Sequence, residues 1–171
     1  MALRRLLLII SKKYLVLITL GLFVWLAGIV LAPVMASSGI PWLTKFGNWC
    51  YFFFDPVCHQ ISSRSFILNE FPMAVCVRCF SVYLAGFFLC LVSFTRHILR
   101  LLPLPVYVLL LVPALSDFIL EKIILYPGLP MLRFATGFLM GLALFHLMLV
   151  SMATGDSETK NMNRTGLLSD R

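Results

Sequence analysis

Residues 14–36 read YLVLITLGLFVWLAGIVLAPVMA, a stretch without a single charged side chain. A helix needs about 20 apolar residues to cross the ~30 Å hydrocarbon core of a bilayer, and this run is long enough. Arg4, Arg5, Lys12 and Lys13 precede it. A secretory signal begins in the same way, and Val34-Met35-Ala36 imitates a cleavage site. The run nevertheless exceeds the ~7–15 apolar residues of a signal's hydrophobic core, so it reads as a retained membrane span.

Three more spans follow, at about 76–95, 105–126 and 131–152, with Pro113 expected to kink the third. Tyr126-Pro127-Gly128-Leu129-Pro130 is a turn by composition. The composition agrees: of 171 residues, 61% are hydrophobic and 12% charged, which excludes a soluble domain, where about 25% are charged. The expected fold is all-α, an integral membrane four-helix bundle forming one domain over 1–153. Residues 154–171 are polar and read as a mobile cytoplasmic tail.

The net charge of +7 is topogenic. Four spans put both termini on one side, with Arg4, Arg5, Lys12, Lys13, Arg96, Arg100, Lys160, Arg164 and Arg171. Lys45, Arg64, Arg78, Lys122 and Arg133 lie on the other. The positive-inside rule then makes the termini cytoplasmic in a multi-pass protein of the cell membrane. His97, among the inner-face bases, reads as solvated. Bases that flank apolar runs call for a lipid bilayer as partner and for no nucleic acid.

Residues 37–75 form the longest stretch between spans. Phe46, Trp49, Tyr51, Phe52, Phe53, Phe54 and Phe66 suit the headgroup layer, so this segment is expected to be interfacial or re-entrant, on the outer face.

The chemistry concentrates at the same end. Cys58-His59 is followed by Cys76-Val77-Arg78-Cys79, a C-x-x-C opening the second span. Residues i and i+3 share a helix face, and a helix N-terminus favours the thiolate that metals bind. Cys58, His59, Cys76 and Cys79 thus form a candidate site for a transition metal, zinc in type. Adjacent ligands are awkward around one tetrahedral ion, so a three-cysteine site with His59 reacting nearby is equally drawable. A redox-active disulfide, with Cys50 and Cys58 as a second pair, and a structural disulfide or idle thiols are the alternatives. Cys90, mid-span, is a packing residue.

Asp117 and Glu121 share one face of the third span, where a charge needs a partner or a cavity. Arg64, Arg78 and Arg133 supply cations. The plain reading is a structural Asp117–Arg133 pair. In the functional one the arginines and Glu121 bind an anionic substrate group, such as a lipid phosphate or a small molecule, with His59 or Asp117 as acid or base. Gly137 and Gly141 form a G-x-x-x-G expected to serve packing within the bundle. His146 is expected to be packed and hydrogen-bonded.

Cys58-His59-Gln60, Arg64-Ser65-Phe66, Cys76-Val77-Arg78-Cys79, then Tyr83 and Gly86, resemble a family of small bacterial and archaeal membrane proteins defined as a domain of unknown function. Asp117, Arg133 and Gly137 match its later positions. Phe80 and Ser81 depart from the small residue or threonine-glycine frequent there. The resemblance implies a membrane protein with a metal or thiol centre and no particular activity. Three functions compete: a membrane-embedded metalloenzyme, a thiol–disulfide oxidoreductase of the four-helix architecture, and a non-enzymatic metal- or lipid-binding protein.

Overall fold

A computed structural model describes residues 12–95, 101–123 and 129–169. The elements are α1 (Lys12–Ala36), α2 (Pro41–Phe54), a 3-10 turn (Ser62–Arg64), a hairpin of β1 (Ile67–Leu68) and β2 (Phe71–Pro72), α3 (Val77–Thr95), α4 (Leu104–Ile123) and α5 (Pro130–Ser169). Four of these helices are long and apolar enough to cross a membrane: α1, α3, α4 and the first part of α5. Each falls within one of the expected spans or overlaps it, the expected third span reaching to Tyr126, outside the described residues. The chain is an all-α, multi-pass membrane bundle.

Several sequence expectations fall outside the described residues: Arg4, Arg5, Arg96, His97, Arg100, Arg171 and the turn residues Tyr126, Pro127 and Gly128. Pro130, read as the end of that turn, is the first residue of α5, where its missing N–H costs no hydrogen bond. The α5 backbone continues as helix to Ser169, through the stretch assigned by composition to a tail. Helix propagation adds one bond per residue once the costly first turn exists, and no proline intervenes after Pro130.

The principal contacts run α2–α1–α3–α5–α4, so the last span inserts beside the second and leaves α4 on the flank. Lipid gives helices no hydrophobic reason to associate, and close packing must come from small residues and polar links. The α3–α5 seam uses the first device. A Cβ on Gly141 would lie 2.6 Å from the Val82 carbonyl oxygen, and one on Gly137 would lie 2.8 Å from that of Arg78. The G-x-x-x-G is internal packing, as its sequence suggests. Gly141→Val is expected to lower stability by ~1–3 kcal/mol, read as an earlier midpoint of unfolding by sodium dodecyl sulfate in mixed micelles. An unchanged midpoint would refute this account of the seam.

The α4 flank uses the second device. Its side chains are largely exposed aliphatics, from Val108 and Leu109 to Ile119 and Leu120. Polar links tie it down at both ends. Near its start the Tyr107 hydroxyl meets His146 Nδ1 of α5 at 2.9 Å, which makes His146 the packed, hydrogen-bonded residue expected. Near its end Asp117 and Glu121 meet arginines from three other elements.

Residues 37–76 fold onto the end of the bundle where α1 finishes and α3 and α5 begin. The fourteen residues of α2 are too few to span, and they pack along α1, where Gly47 approaches the Ala36 backbone. Trp42, Phe46, Trp49 and Phe52 point outward, a face suited to headgroups. Cys58, Met73, Ala74 and Val75 join Phe54, Ile29 and Ala32 in a small core of their own.

Candidate functional site

The site lies where this loop core meets the first turn of α3. Cys76 sits just before the helix, accepting from the Phe80 N–H at 3.0 Å, and Cys79 is one turn further on. Cys58 arrives from the loop after α2, and its sulfur accepts the Cys76 backbone N–H at 3.2 Å. The Sγ atoms of Cys58, Cys76 and Cys79 all lie within 4.8 Å of one another. Sulfurs held at ~2.3 Å from one tetrahedral ion are about 3.8 Å apart, so small adjustments would bring three thiolates around a zinc-type ion. Hydrogen bonds from the Cys76 and Cys79 side chains, helped by backbone amides, hold the Cys58 thiol well below its ordinary range despite burial.

His59 does not join this trio. It is exposed and lines the same cavity, so of the four expected ligands three converge and the imidazole stands at the rim. Adjacent residues on a tight turn project apart, and Cys58 takes the inward direction. Cys50, the partner imagined for Cys58 in a redox pair, lines a separate apolar cavity between α1 and α2, and burial pushes its thiol up. Cys90 is fully buried in the other hydrophobic cluster with Leu15 and Leu149.

Two residues that sequence reading left without a role shape the thiol loop. Gln60 adopts φ +46°, the left-handed region, which turns the chain directly after Cys58-His59. Its Nε2 donates to the Tyr51 carbonyl at 2.6 Å, and the Tyr51 hydroxyl donates to the Pro72 carbonyl. Gln60 thereby joins the thiol loop to α2, and Tyr51 joins α2 to the hairpin. Gln60 stands in the quoted C-H-Q motif, which was the available signal. Tyr51 reads in the sequence only as one more interfacial aromatic. Gln60→Ala is expected to lose this link and speed amide hydrogen exchange in residues 55–65 at least tenfold, equivalent to ~1–2 kcal/mol. Unaltered exchange there would remove Gln60 from this role.

The hairpin turns at Asn69 (φ +50°) and Glu70 (φ +71°), the paired left-handed conformation of a two-residue loop. It delivers Arg64 and Phe66 to opposite tasks. Phe66 packs edge-on against Phe80 of α3 and tilted against Phe134 of α5. Phe80, the departure from the family pattern, thus has a partner, and Ser81 is fully buried beside Gly137.

Arg64 reaches the acids. Its guanidinium meets Glu121 at 2.6 Å, Arg133 meets the same carboxylate at 3.2 Å, and Arg78 bridges Asp117 and Glu121. Side-chain exposure is 5% for Asp117 and Arg133, 8% for Glu121, 20% for Arg78 and 43% for Arg64. Three of these charges stand at the wrong end of a helix: Glu121 in the last turn of α4, and Arg78 and Arg133 in the first turns of α3 and α5. The helix dipoles oppose these three, so pairing must hold them in place. The expected link from α4 to Arg133 therefore exists through Glu121, and Arg78 takes Asp117.

A cavity of about 370 Å³ joins the two groups. Cys58, Cys76 and Cys79 line it together with Arg64, Arg78 and Arg133, and Val57, Ile61 and Phe118 form an apolar part of its wall. The thiols offer soft anionic ligands, and the guanidiniums offer forked donors for an oxyanion.

Four spanning helices with a thiol trio and an arginine–carboxylate network at one end define a multi-pass membrane protein with a polar site at a bundle end. The chain belongs to the DUF2085 family of predicted membrane proteins, whose family model matches residues 58–147. It is 32% identical over 139 residues to the uncharacterized protein MJ1492 of Methanocaldococcus jannaschii, covering 76% of this chain and 86% of that one. No solved structure matches.

Proposed function

We propose that Cys58, Cys76 and Cys79 bind a transition metal, zinc in type, and that the protein is a membrane-embedded metalloenzyme acting on an anionic or lipid substrate at the outer leaflet. The observation that carries this reading is the convergence of three sulfurs, from two separate chain segments, on a cavity also lined by three arginines. The donor set fits such an ion: Cys58, Cys76 and Cys79 would hold it with three thiolates, fewer than the four protein ligands of a closed structural zinc site. A bound ion would supply Lewis acidity. Arg64, Arg78 and Arg133 would orient an anionic group, with Glu121 holding the guanidiniums in place. His59, exposed at the rim, is the group best placed to exchange protons with water, and Asp117, paired to Arg78, is better suited to fixing that arginine than to acid–base work.

A thiol–disulfide oxidoreductase has less support. It needs a second cysteine pair, and Cys50, although packed on the same small core as Cys58, lines a different cavity and is not among the converging sulfurs. Elemental analysis of the purified, folded protein separates the two. About one equivalent of zinc or a similar metal is expected. Less than a tenth of an equivalent, with cysteines that oxidise reversibly in the presence of quinone, would favour the redox reading and end the metal one.

A further inference from the structure

We infer that the cavity seats the phosphate of an anionic membrane lipid, admitted sideways from the bilayer past Phe118. The inference deepens the substrate half of the reading above and takes its location from it, without requiring the metal.

Charge is the first argument. Three guanidiniums face two carboxylates, leaving one formal positive charge in a network where four of five side chains are at most a fifth exposed. The Cys58 thiolate lines the same cavity and offsets this charge for the site as a whole. The pull on an incoming anion therefore comes from close approach to the guanidiniums in a low-dielectric setting, not from the net charge. Donor capacity is the second. Arg78 uses Nη2 for both of its carboxylates, and its unpartnered Nε is buried, so it becomes available to an anion only when the side chain shifts. The guanidiniums come from the 3-10 turn, α3 and α5, three directions that suit a tetrahedral anion better than a planar one.

The shape of the cavity argues for a lipid. Its apolar wall consists of Val57, Ile61 and Phe118, all exposed, and Phe118 lies on α4 beside exposed Leu115 and Ile119. The charged wall and the lipid-facing surface therefore share one opening. A volume of about 370 Å³ is at the low end for small-molecule sites. It accommodates a headgroup while the acyl chains stay outside. Arg64 is the most exposed of the three: it can transfer from Glu121 to an incoming phosphate, because Arg78 and Arg133 still hold that carboxylate.

Native mass spectrometry of delipidated full-length protein in detergent tests this, with phosphatidylglycerol and phosphatidylcholine as probes and inorganic phosphate as competitor. Phosphatidylglycerol is expected to bind at least tenfold more tightly than phosphatidylcholine. Arg64→Gln, at an exposed position that folding should tolerate, is expected to weaken it at least fivefold. Lys45→Gln, a surface charge on α2, should leave it unchanged. Equal binding of both lipids, or an equal loss in Lys45→Gln, would overturn the inference. Full displacement by millimolar inorganic phosphate would also overturn it by assigning the site to a soluble anion. The metal content of the same samples distinguishes the two proposals: lipid preference in metal-free protein leaves this one standing alone, and a metal-loaded protein without preference leaves only the other.

Discussion

Replacing Glu121 by leucine is expected to destabilise the folded protein by ~3–5 kcal/mol, the scale for removing one partner from a buried ionic group. Arg64, Arg78 and Arg133 all meet at this carboxylate, which is 8% exposed. Without it, the three guanidiniums have one carboxylate, Asp117, left among them, and α4 loses its ionic link to α5 and to the loop while keeping the Tyr107–His146 bond. Glu121→Gln keeps the shape and part of the hydrogen bonding, and should cost roughly half as much. Arg64→Ala should cost under about 1 kcal/mol, because Arg64 is 43% exposed and its charge can return to water. The measurement is the unfolding free energy of each variant in mixed micelles. The order Leu, then Gln, then Arg64→Ala is the content of the prediction. If Glu121→Leu costs no more than Arg64→Ala, the network is not what fastens α4.

The bundle was legible because its signals are local. A span is read from length and absence of charge, as in 14–36, and a G-x-x-x-G at Gly137 and Gly141 needs only helical spacing to predict close approach. Asp117 and Glu121 were legible as charges in a span that must be paired. Their pairing was not, because Arg78 and Arg133 begin different helices at the same level, and sequence distance cannot rank their approach to Asp117 and Glu121. The thiol trio was half legible. Cys76 and Cys79 follow from helix geometry, whereas the choice between Cys58 and His59 depends on a loop turned by Gln60 in a left-handed conformation and fastened to Tyr51. No periodicity encodes such a turn. The cavity wall of Val57, Ile61 and Phe118 was hidden for a similar reason: it joins residues some 60 positions apart that carry no chemical mark.

The thiol trio makes the other large prediction. Cys58→Ser, Cys76→Ser and Cys79→Ser should each lower metal affinity by at least ~100-fold, since even residues that merely orient ligands cost 10–100-fold when altered. Cys50→Ser and Cys90→Ser should retain full metal content, because neither sulfur belongs to the converging group. His59→Ala divides the two arrangements that the sequence allows. If three cysteines suffice, it keeps the metal and alters only reactivity. If His59 swings in as fourth ligand, affinity falls as far as for the cysteine variants. Cobalt substitution gives a readout independent of activity: thiolate-to-cobalt charge-transfer absorption in the near ultraviolet should fall in proportion to the sulfurs removed. The structure favours the first outcome, because His59 is exposed and Cys58 is fixed from three sides by Cys76, Cys79 and the Gln60 amide. Metal retained at full stoichiometry in all three cysteine variants would mean that the ion lies elsewhere, and the convergence of sulfurs would then need a redox explanation.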